Sequence, residues 1–332
     1  MKVFLFYLTC FFLLEAGVSS VNIMPSSVKK SIPYIHILDQ KQLSFDRIQG
    51  VKFAELSDVT YDTQRQLLYF VSDKGLLYSF KAHFSKKIDT LIPFRATKLK
   101  TKKAKRLKKW KRDSEGLALD NRGRLLISFE GDAKIGWFHK NSEHFGQLIR
   151  KYKIPRVLKN KKNYRSKNKS LESLAWHSKY GLLTATEWPL KRYSNKKHTL
   201  YSLNGKKWHF KAEPEGRSGL VAMEVMDDGN ILVLERSYTG LTNPLVITLK
   251  KVFINKCQNR MCKTKILAKL NSHEGWEVDN FEGLAKVGNH RYVMVSDDGD
   301  NFFQRTLLIY FEVLDEPLLM TLDTNKMLHH LK

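Results

Sequence analysis

Hydrophobic residues recur along the chain in short runs, and polar turn residues separate the runs. In "SEGLALDNRGRLLISFE", which starts at Ser114, a first apolar run ends at Leu119, "DNRG" interrupts it, and a second run begins at Leu125. Asp, Asn and Gly are residues that turns favour. Two strand-like runs joined in this way predict a β-hairpin. Long amphipathic helical patterns are lacking.

This hairpin pattern returns along the sequence. A fixed repeat of a whole supersecondary unit is typical of solenoids and propellers. The strong copies are "SDVTYDTQRQLLYFVSD" from Ser57, "SEGLALDNRGRLLISFE" from Ser114, "LESLAWHSKYGLLTATE" from Leu171 and "FEGLAKVGNHRYVMVSD" from Phe281, and a weaker copy is "VAMEVMDDGNILVLER" from Val221.

Two acidic positions recur in every strong copy. The leading acids are 57, 57 and 110 residues apart, and a trailing acid follows each of them fifteen residues later. Because antiparallel strands run in opposite directions, the start of the first strand and the end of the second lie at the same end of a hairpin. We therefore expect both acids of each unit at one edge of the sheet. The leading acids are Asp58, Glu115, Glu172 and Glu282, and the trailing acids are Asp73, Glu130, Glu187 and Asp297.

Units of this length, built from short strands, predict an all-β fold, a β-propeller of five or six four-stranded blades. Closure into a ring hides sheet edges, which disfavours a solenoid. Further strand-like pieces such as "GLLYSF" (75–80) would form the outer part of each blade. "IPYIHIL" (32–38) or "TLLIYFEV" (306–313) would complete the closing blade. We place the propeller at 39–315, a lead-in at 21–38 and a tail at 316–332.

The first twenty residues, "MKVFLFYLTCFFLLEAGVSS", have the pattern of a signal peptide: one Lys, an apolar segment, then small residues. The apolar run stops at Glu15 and is too short for a membrane anchor. We expect cleavage near Ser20, which predicts a secreted or periplasmic protein. No later segment is apolar enough to span a membrane, and we expect a monomer.

Cysteine usage fits an oxidising compartment. Without Cys10, the chain retains Cys257 and Cys262 in "CQNRMC". A metal site would need further soft ligands nearby, and none is evident. We favour a structural disulfide over two free thiols.

Positive charge dominates the chain, with a formal net charge of +25. Much of this charge lies in runs of Lys and Arg, which either attract anions or lie on solvated loops without a partner. No zinc-finger, RRM-like or helix-turn-helix signature accompanies them, which disfavours nucleic acid. The longest runs are "KLKTKKAKRLKKWKR" (98–112), "KNKKNYRSKNK" (159–169) and "KRYSNKK" (191–197).

In a propeller the leading acids fall near the inner strands, around one mouth of the central channel. Carboxylates held close together repel one another and need a compensating cation, base or proton. Ca²⁺, which takes six to eight oxygen ligands, is the natural ion outside the cytoplasm. The alternative is that these acids cap turns and accept backbone amides of adjacent blades.

Several motifs in their order resemble the phytase-like family, described as "esterase-like activity of phytase". The resemblance covers roughly 40–315 and implies a secreted or periplasmic propeller whose members are named for phosphomonoester or carboxylester hydrolysis. It extends distantly to calcium-dependent lactonase and arylesterase propellers, in which carboxylates and an Asn hold the ion. The matching segments are "RDSEGLALD" (112–120), "LESLAW" (171–176), "MEVMDDGNILVLERSY" (223–238) and "NFEGLAKVGNHRYVMVSDDGDNFFQRTLLIYFEV" (280–313).

The resemblance assigns functional roles to particular residues. Glu235 and Arg236 match the family's "LER" element, and Asp297 and Asp298 match its "SD" element. The fourth unit departs from the repeat, because Val221 occupies its leading position and an acid follows only at Glu224. The candidate metal ligands are Asp58, Glu115, Glu172, Glu224, Glu282 and Asp297.

Two function classes remain open. In a hydrolase, the cation would polarise a phosphoryl or carbonyl oxygen, and a carboxylate would accept a proton. In a binding protein, the basic loops would dock on anionic envelope polymers, lipids or a protein. Nucleophilic catalysis has less support because no G-x-S-x-G elbow occurs. The candidate catalytic residues are Glu115, Glu172, Glu282 and Arg236, and the candidate contacts for an anionic small-molecule substrate are Lys111, Arg112 and Arg236.

Arg236 has two interpretations at this stage. Arg binds phosphate through a bidentate fork, which suits a substrate contact. The alternative is a salt bridge with Glu235 or with an acid of a neighbouring blade.

Overall fold

The computed structural model describes residues 17–26, 32–141, 143–166, 169–240, 242–301 and 303–317. Strands dominate this part of the chain, and its few helices are single turns. None of the described helices combines the length and the apolar character needed to cross a membrane. The helical turns are α1 (Arg156–Lys159) and three 3₁₀ turns at Lys109–Lys111, Lys161–Asn163 and Ser272–Glu274.

Twenty-three strands are described, and all but β3 and β4 belong to blades. In chain order they are β1 (Val18–Ser20), β2 (Ile35–Leu43), β3 (Arg47–Ile48), β4 (Val51–Lys52), β5 (Leu56–Asp62), β6 (Leu67–Ser72), β7 (Leu76–Phe84), β8 (Ile88–Lys98), β9 (Ser114–Leu119), β10 (Leu125–Phe129), β11 (Lys134–Phe138), β12 (Leu148–Tyr152), β13 (Leu171–His177), β14 (Gly181–Thr186), β15 (Lys197–Ser202), β16 (Lys207–Lys211), β17 (Gly219–Val225), β18 (Ile231–Ser237), β19 (Val246–Gln258), β20 (Met261–Asn271), β21 (Asn280–Gly288), β22 (Arg291–Asp297) and β23 (Leu307–Val313).

The described strands form a five-bladed propeller. Blades 1 to 4 each take four consecutive antiparallel strands, β5–β8, β9–β12, β13–β16 and β17–β20. Blade 5 combines β21–β23 with the N-terminal strands β2 and β1. The inner strands β5, β9, β13, β17 and β21 each contact the next around the ring, and β21 contacts β5. This confirms the propeller, and the blade number is five.

Both termini of the described chain build the closing blade. β23 supplies its third strand, and β2 pairs antiparallel with β23 as its fourth. β2 begins at Ile35, so the expected lead-in at 21–38 overlaps the propeller. β1 pairs with β2 at the edge of the same sheet, and the expected cleavage near Ser20 falls at its end. The rest of the predicted signal peptide, 1–16, and the end of the expected tail, 318–332, lie outside the described residues.

The core lies between the blades. Because each blade packs against two neighbours, both faces of the inner strands are covered and their side chains are buried. Phe70 of blade 1 and Tyr310 of blade 5 share one buried cluster, and Leu117 of blade 2 packs in another with Tyr69. The continuous apolar runs of the hairpins follow from this two-sided burial.

The glycine of the repeated "EGLA" marks the closest approach of adjacent inner strands. A Cβ at Gly116 would lie 2.8 Å from the carbonyl oxygen of Glu172, and one at Gly283 would lie 2.9 Å from the Cα of Asp58. Only a residue without a side chain fits these contacts. The glycines therefore set the width of the central channel.

Cys257 and Cys262 form a disulfide near the tip of the β19–β20 hairpin. This is the pairing expected from their spacing. It closes a small loop at the outer edge of blade 4.

Candidate functional site

A β-bulge near the start of each inner strand inserts one extra residue. Bulges re-aim side chains, and here they occur next to the channel mouth. In blades 2, 3 and 5 the bulged segment contains a glutamate, whereas Ser57 and Val221 hold the equivalent places in blades 1 and 4. The three bulge glutamates are Glu115, Glu172 and Glu282.

A second five-fold position lies at the end of the second strand of each blade. Four blades carry an acid there, and blade 4 carries Arg236, which pairs with Gly219 as Asp297 pairs with Asn280. The mouth thus has one arginine among four equivalent acids. These acids are Asp73, Glu130, Glu187 and Asp297.

The two sets and Asp113, next to them on the approach to β9, form one cluster, which we call the acid ring. Burial, and after it the charges of other members of the cluster, raise the pKa values of Glu115, Glu172 and Asp297, which places these acids within electrostatic reach of their neighbours. The acid ring consists of Asp73, Asp113, Glu115, Glu130, Glu172, Glu187, Glu282 and Asp297.

One side of the acid ring is compensated by fixed cations. Arg236 reaches across blades to Glu187 at 3.4 Å and also pairs with Glu282. Asn280 accepts from Arg236 and donates to Glu282 at 3.0 Å. Lys169 pairs with the other oxygen of Glu187. Glu187 of blade 3 and Glu282 of blade 5 are therefore neutralised.

On the other side, in blades 2 and 3, Asp113, Glu115, Glu130 and Glu172 have no such salt bridge within the described chain, and Glu187 is the paired acid that borders them. Oxygens of Asp113, Glu115 and Glu130 lie within 4.8 Å of one another, as do oxygens of Glu130, Glu172 and Glu187. Within the described chain, Glu115 accepts no hydrogen bond, and the buried Oε2 of Glu172 has no partner. Glu130 accepts from the backbone amide of Ser170 at 2.9 Å and belongs to both groups.

The acids of this side have strongly perturbed pKa values. Burial, with repulsion from neighbouring carboxylates, holds the pKa of Glu115 and Glu172 well above the usual range. Burial raises the pKa of Glu130 to about 8, although the Ser170 amide opposes it. On the compensated side as well, burial and the nearby Glu282 raise the pKa of Asp297 to about 7. Such values favour either bound protons or a bound cation.

The donor set fits a hard divalent cation. Two oxygens on opposite sides of a calcium ion lie about 4.6–5.2 Å apart, because each bond is about 2.3–2.6 Å. The spacing within each group of three carboxylates falls inside this limit. Only oxygen ligands are offered, and the buried Oε2 of Glu172 is unpartnered within the described chain. Asp113, Glu115 and Glu130 form the more accessible group, since Asp113 is half-buried.

The expectation that Asp58 occupies the same position in its blade as Glu115, Glu172 and Glu282 is wrong. Asp58 lies one residue beyond the bulge position, which Ser57 occupies, because the hairpin of blade 1 is one residue longer than the others. Its carboxylate accepts the amides of Val59, Leu117 and Leu284 at 2.7–3.1 Å. Asp58 thus joins three inner strands, and the structure places it away from the carboxylate groups that could hold a cation.

Glu224 also lies outside those groups. Its oxygens accept the amides of Val225 at 2.7 Å and Lys286 at 3.2 Å, so it joins blade 4 to blade 5 deeper in the channel. The alternative of acids that bind backbone amides thus applies to Asp58 and Glu224. Glu282 and Asp297 lie in the acid ring, where Asn280 donates to both.

The ion pair of Arg236 is not with its chain neighbour. Glu235 points to the opposite face of β18, where it accepts from Lys250 at 2.6 Å and from Ser218 at 2.7 Å. Consecutive residues of a strand face opposite sides, which separates the two. The favourable charge and hydrogen bonds of this buried group lower the pKa of Glu235 to about 2.

The basic runs border the acid ring. Arg112 packs over Gly75 directly before Asp113, and the carbonyl of Lys111 accepts from Lys134 at 2.8 Å. From the second run, Lys161 donates to the carbonyl of Gly131 at 2.9 Å. The expected substrate contacts Lys111 and Arg112 therefore lie beside blade 2, at the edge of the ring.

Sequence reasoning noticed Glu130 and Glu187 as trailing acids but did not assign them to the site. Asp113 and Lys169 lie in the quoted segments "RDSEGLALD" and "KNKKNYRSKNK" but were not assigned to the site either. The fifteen-residue spacing was the available signal for the first two, because it places them at the same edge as Glu115 and Glu172.

A cleft of about 710 Å³ opens beside Glu187. Trp188, which follows Glu187 in the chain, and Ser218 belong to its wall. Arg165, Lys196 and Arg217 add positive charge to it. The acid in its lining, Glu213, pairs with Lys250 at 2.6 Å and with Lys269 at 3.0 Å, so the cleft still suits an anionic organic molecule.

The cation-free protein is expected to lose stability as the pH rises from about 6 to 8. In this range the folded state keeps a proton on Glu130, whose pKa burial raises to about 8, that the unfolded state has released, and the raised pKa values of Glu115 and Glu172 act in the same direction. A fold that binds more protons than the unfolded chain becomes less stable as pH increases, here by on the order of 3 kcal/mol. Thermal denaturation in EDTA across this range measures it.

Lys134, whose pKa burial lowers to about 8, acts in the opposite direction, and it does so mainly above pH 8. Addition of Ca²⁺ at the upper pH should restore the lost stability. A melting temperature that is constant or rises with pH would contradict the proton count of the acid ring.

Comparisons with known proteins place the chain in a family. No curated protein sequence matches it significantly. Among solved structures it is similar to a catalytically inactive virginiamycin B lyase from Staphylococcus aureus with quinupristin, at 10% identity and a TM-score of 0.43, over 90% of this chain and 99% of that chain. It is also similar to the β-propeller domain of Cps50 (Swd1) from Myceliophteria thermophila, at 9% identity and a TM-score of 0.39, over 80% of this chain and 99% of that chain.

At these identities the two structures do not bear on the chemistry of the site. The model of the Phytase-like family, described as "Esterase-like activity of phytase", matches residues 51–302. That range contains the complete acid ring and all five inner strands. The chain therefore belongs to the Phytase-like family.

Proposed function

We propose that this protein is a cation-dependent hydrolase of phosphoesters or carboxylesters, and that the uncompensated side of the acid ring is its reaction site. The observation that carries the proposal is the meeting of Asp113, Glu115 and Glu130 within 4.8 Å, beside a buried, unpartnered oxygen of Glu172. A protein that needed these acids only for structure would pair each of them, as it pairs Asp58.

Asp113, Glu115 and Glu130 would hold the cation, with Ca²⁺ as the expected ion. When bound, the ion supplies Lewis-acid polarisation of the ester oxygen. Glu172 is the proton acceptor, because it adjoins Glu130 and its Oε2 has no competing donor. Burial and the neighbouring carboxylates raise its pKa well above the usual range of a glutamate, which makes it a stronger proton acceptor than an exposed carboxylate.

Arg236 has a positioning role in this proposal. Its guanidinium holds Glu187 and Glu282 in place, and Asn280 accepts from it. These contacts fix the compensated side of the ring and confine excess negative charge to blades 2 and 3.

The cleft beside Glu187 would hold the remainder of an anionic substrate. Arg165, Lys196 and Arg217 supply charge, and Trp188 supplies an apolar wall. The proposal includes a secreted or periplasmic location, where a disulfide such as Cys257–Cys262 persists.

The test is turnover of p-nitrophenyl phosphate and p-nitrophenyl acetate by the purified protein, with Ca²⁺ or with EDTA. We expect turnover that depends on Ca²⁺ and falls about 100-fold or more in Glu172→Gln, the usual range for loss of a general base. Glu143→Gln is the matched control, since Glu143 is exposed and outside the ring. Metal analysis of the same sample measures the bound ion.

Turnover that is indifferent to EDTA and to Glu172→Gln would remove the acid ring from the chemistry. Absence of turnover on both esters, with Ca²⁺ bound, would favour the binding-protein class instead.

A further inference from the structure

The first basic run folds over blade 2 as an ordered loop. Leu107 inserts into the buried cluster of that blade, and its amide donates to the carbonyl of Leu99. Lys100 forms β-bridges with Arg106 and with Gln147 of the chain leading into β12. The loop is therefore built onto the propeller by both apolar and backbone contacts.

A cavity of about 470 Å³ lies between this loop and strands β10 to β12. Its apolar wall is formed by Leu107, Phe129, Phe138 and Leu148. Gly136 is part of the lining, and a Cβ there would meet Leu148 and Phe138 at 2.7 Å. A cavity of this size is within the range that holds small organic ligands.

The rim of the same cavity is strongly cationic. Asp132 is the one acid among its described lining residues, and it pairs with Lys134 at 3.4 Å. The described part of the chain supplies no ion pair to the five loop cations from Lys102 to Lys108. The cationic lining residues are Lys102, Lys103, Lys105, Arg106, Lys108, Lys111, Lys134 and Lys151.

The geometry points to a binding site for an anionic phospholipid, with an acyl chain against the apolar wall and the phosphate head group at the cationic rim. Charge complementarity selects an anionic head group, because about eight cations face a single acid. The apolar wall selects a ligand with a hydrocarbon chain, which a polyanion lacks. This inference is independent of the hydrolase proposal, since it uses no carboxylate of the acid ring.

The cavity makes a specific prediction for charge reversal at its rim. Each Lys or Arg near an anionic lipid surface contributes about fivefold to affinity. The double variant Lys105→Glu/Arg106→Glu should therefore lower the affinity for vesicles of phosphatidylglycerol and phosphatidylcholine by at least about 30-fold. Both residues are exposed, so folding should be unaffected. Vesicle co-sedimentation of the full chain measures the affinity.

The matched control is Lys86→Glu/Lys87→Glu, which makes the same charge change at the exposed turn between β7 and β8. It should retain affinity within about threefold, because the change lies outside the cavity. Equal losses in the two double variants would overturn the site and leave only a general effect of net charge.

A single-chain probe separates the apolar wall from the rim. Dodecyl phosphate, below its micelle concentration, should bind saturably, and inorganic phosphate should bind at least tenfold more weakly. Leu148→Trp, which fills the cavity, should reduce binding of dodecyl phosphate while leaving inorganic phosphate unchanged. Equal affinity for the two probes, or equal binding to pure phosphatidylcholine vesicles, would overturn the proposal.

Discussion

Replacing Glu130 with Gln is expected to weaken Ca²⁺ binding by about 100-fold or more. Loss of a residue that only hydrogen-bonds to a metal ligand already lowers metal affinity about 10- to 100-fold, and Glu130 would bind the ion directly. Glu130 has this effect since it is the one carboxylate shared by both groups of three. Gln keeps the side-chain length and an oxygen that can accept from the amide of Ser170. The change therefore removes the charge with little change in the local hydrogen bonds.

The same variant should make the cation-free protein more stable at higher pH, although it weakens Ca²⁺ binding. Without a cation, Glu130 is a buried acid with a pKa of about 8, so its ionisation destabilises the fold at higher pH. Glu130→Gln should then raise the melting temperature of the EDTA-treated protein at pH 8, and Ca²⁺ should no longer stabilise it. Calorimetric titration with Ca²⁺ and thermal denaturation provide the two measurements.

Glu143→Gln again serves as the control, with the same loss of one charge at an exposed position. It should leave both Ca²⁺ affinity and cation-free stability unchanged. Undiminished Ca²⁺ affinity in Glu130→Gln would show that the ion, if bound, is held elsewhere.

The fold could be predicted from the repeat because every hairpin has the same physical problem to solve. Each blade must bury both faces of its strands, so the apolar runs and turns recur with little variation. The sequence also pointed to both ends of the chain for the closing blade, where β2 and β23 now pair. The exact start of the propeller could not be predicted from the sequence, because the apolar residues of β2 continue those before it.

The position of Asp58 shows what a repeat in sequence fails to disclose. Its fifteen-residue spacing to Asp73 equals that of Glu115 to Glu130, but the blade 1 hairpin contains one more residue. The matching spacing therefore aligns Asp58 with the wrong side of a bulge. A shift of one residue reverses the direction of a strand side chain, so Asp58 faces the backbone amides and Ser57 takes the bulge.

The sequence also could not show which acids of the acid ring are paired with cations. The repeat placed seven of the eight members of the acid ring at one edge, but it does not state which acids Arg236 reaches. That choice depends on contacts between blades 3, 4 and 5, which are distant in the sequence. The side of the ring that remains available for a cation follows only from these contacts.

Arg236→Met is expected to destabilise the protein by about 3–5 kcal/mol at pH 8, the usual cost of removing one partner of a buried ion pair. Arg236 is the shared partner of Glu187 and Glu282, and its side chain is only 15% exposed. Met retains most of the side-chain volume, so the lost charge and hydrogen bonds dominate the effect. In a protein of this size the melting temperature should fall by about 10 °C.

The loss should become smaller as the pH is lowered to about 5, because protonation removes the unpaired buried charge. Burial already raises the pKa of Glu282 in the native protein despite the opposing charge of Arg236, and that pKa should rise further without it. Arg47→Met is the control: Arg47 pairs with Asp46 at 3.6 Å, but both side chains are mostly exposed, so the expected cost is below about 1 kcal/mol. Chemical denaturation at both pH values measures the difference. A loss in Arg236→Met that does not change with pH would mean that Glu187 and Glu282 find other partners, and that Arg236 does not determine which side of the ring is open to a cation.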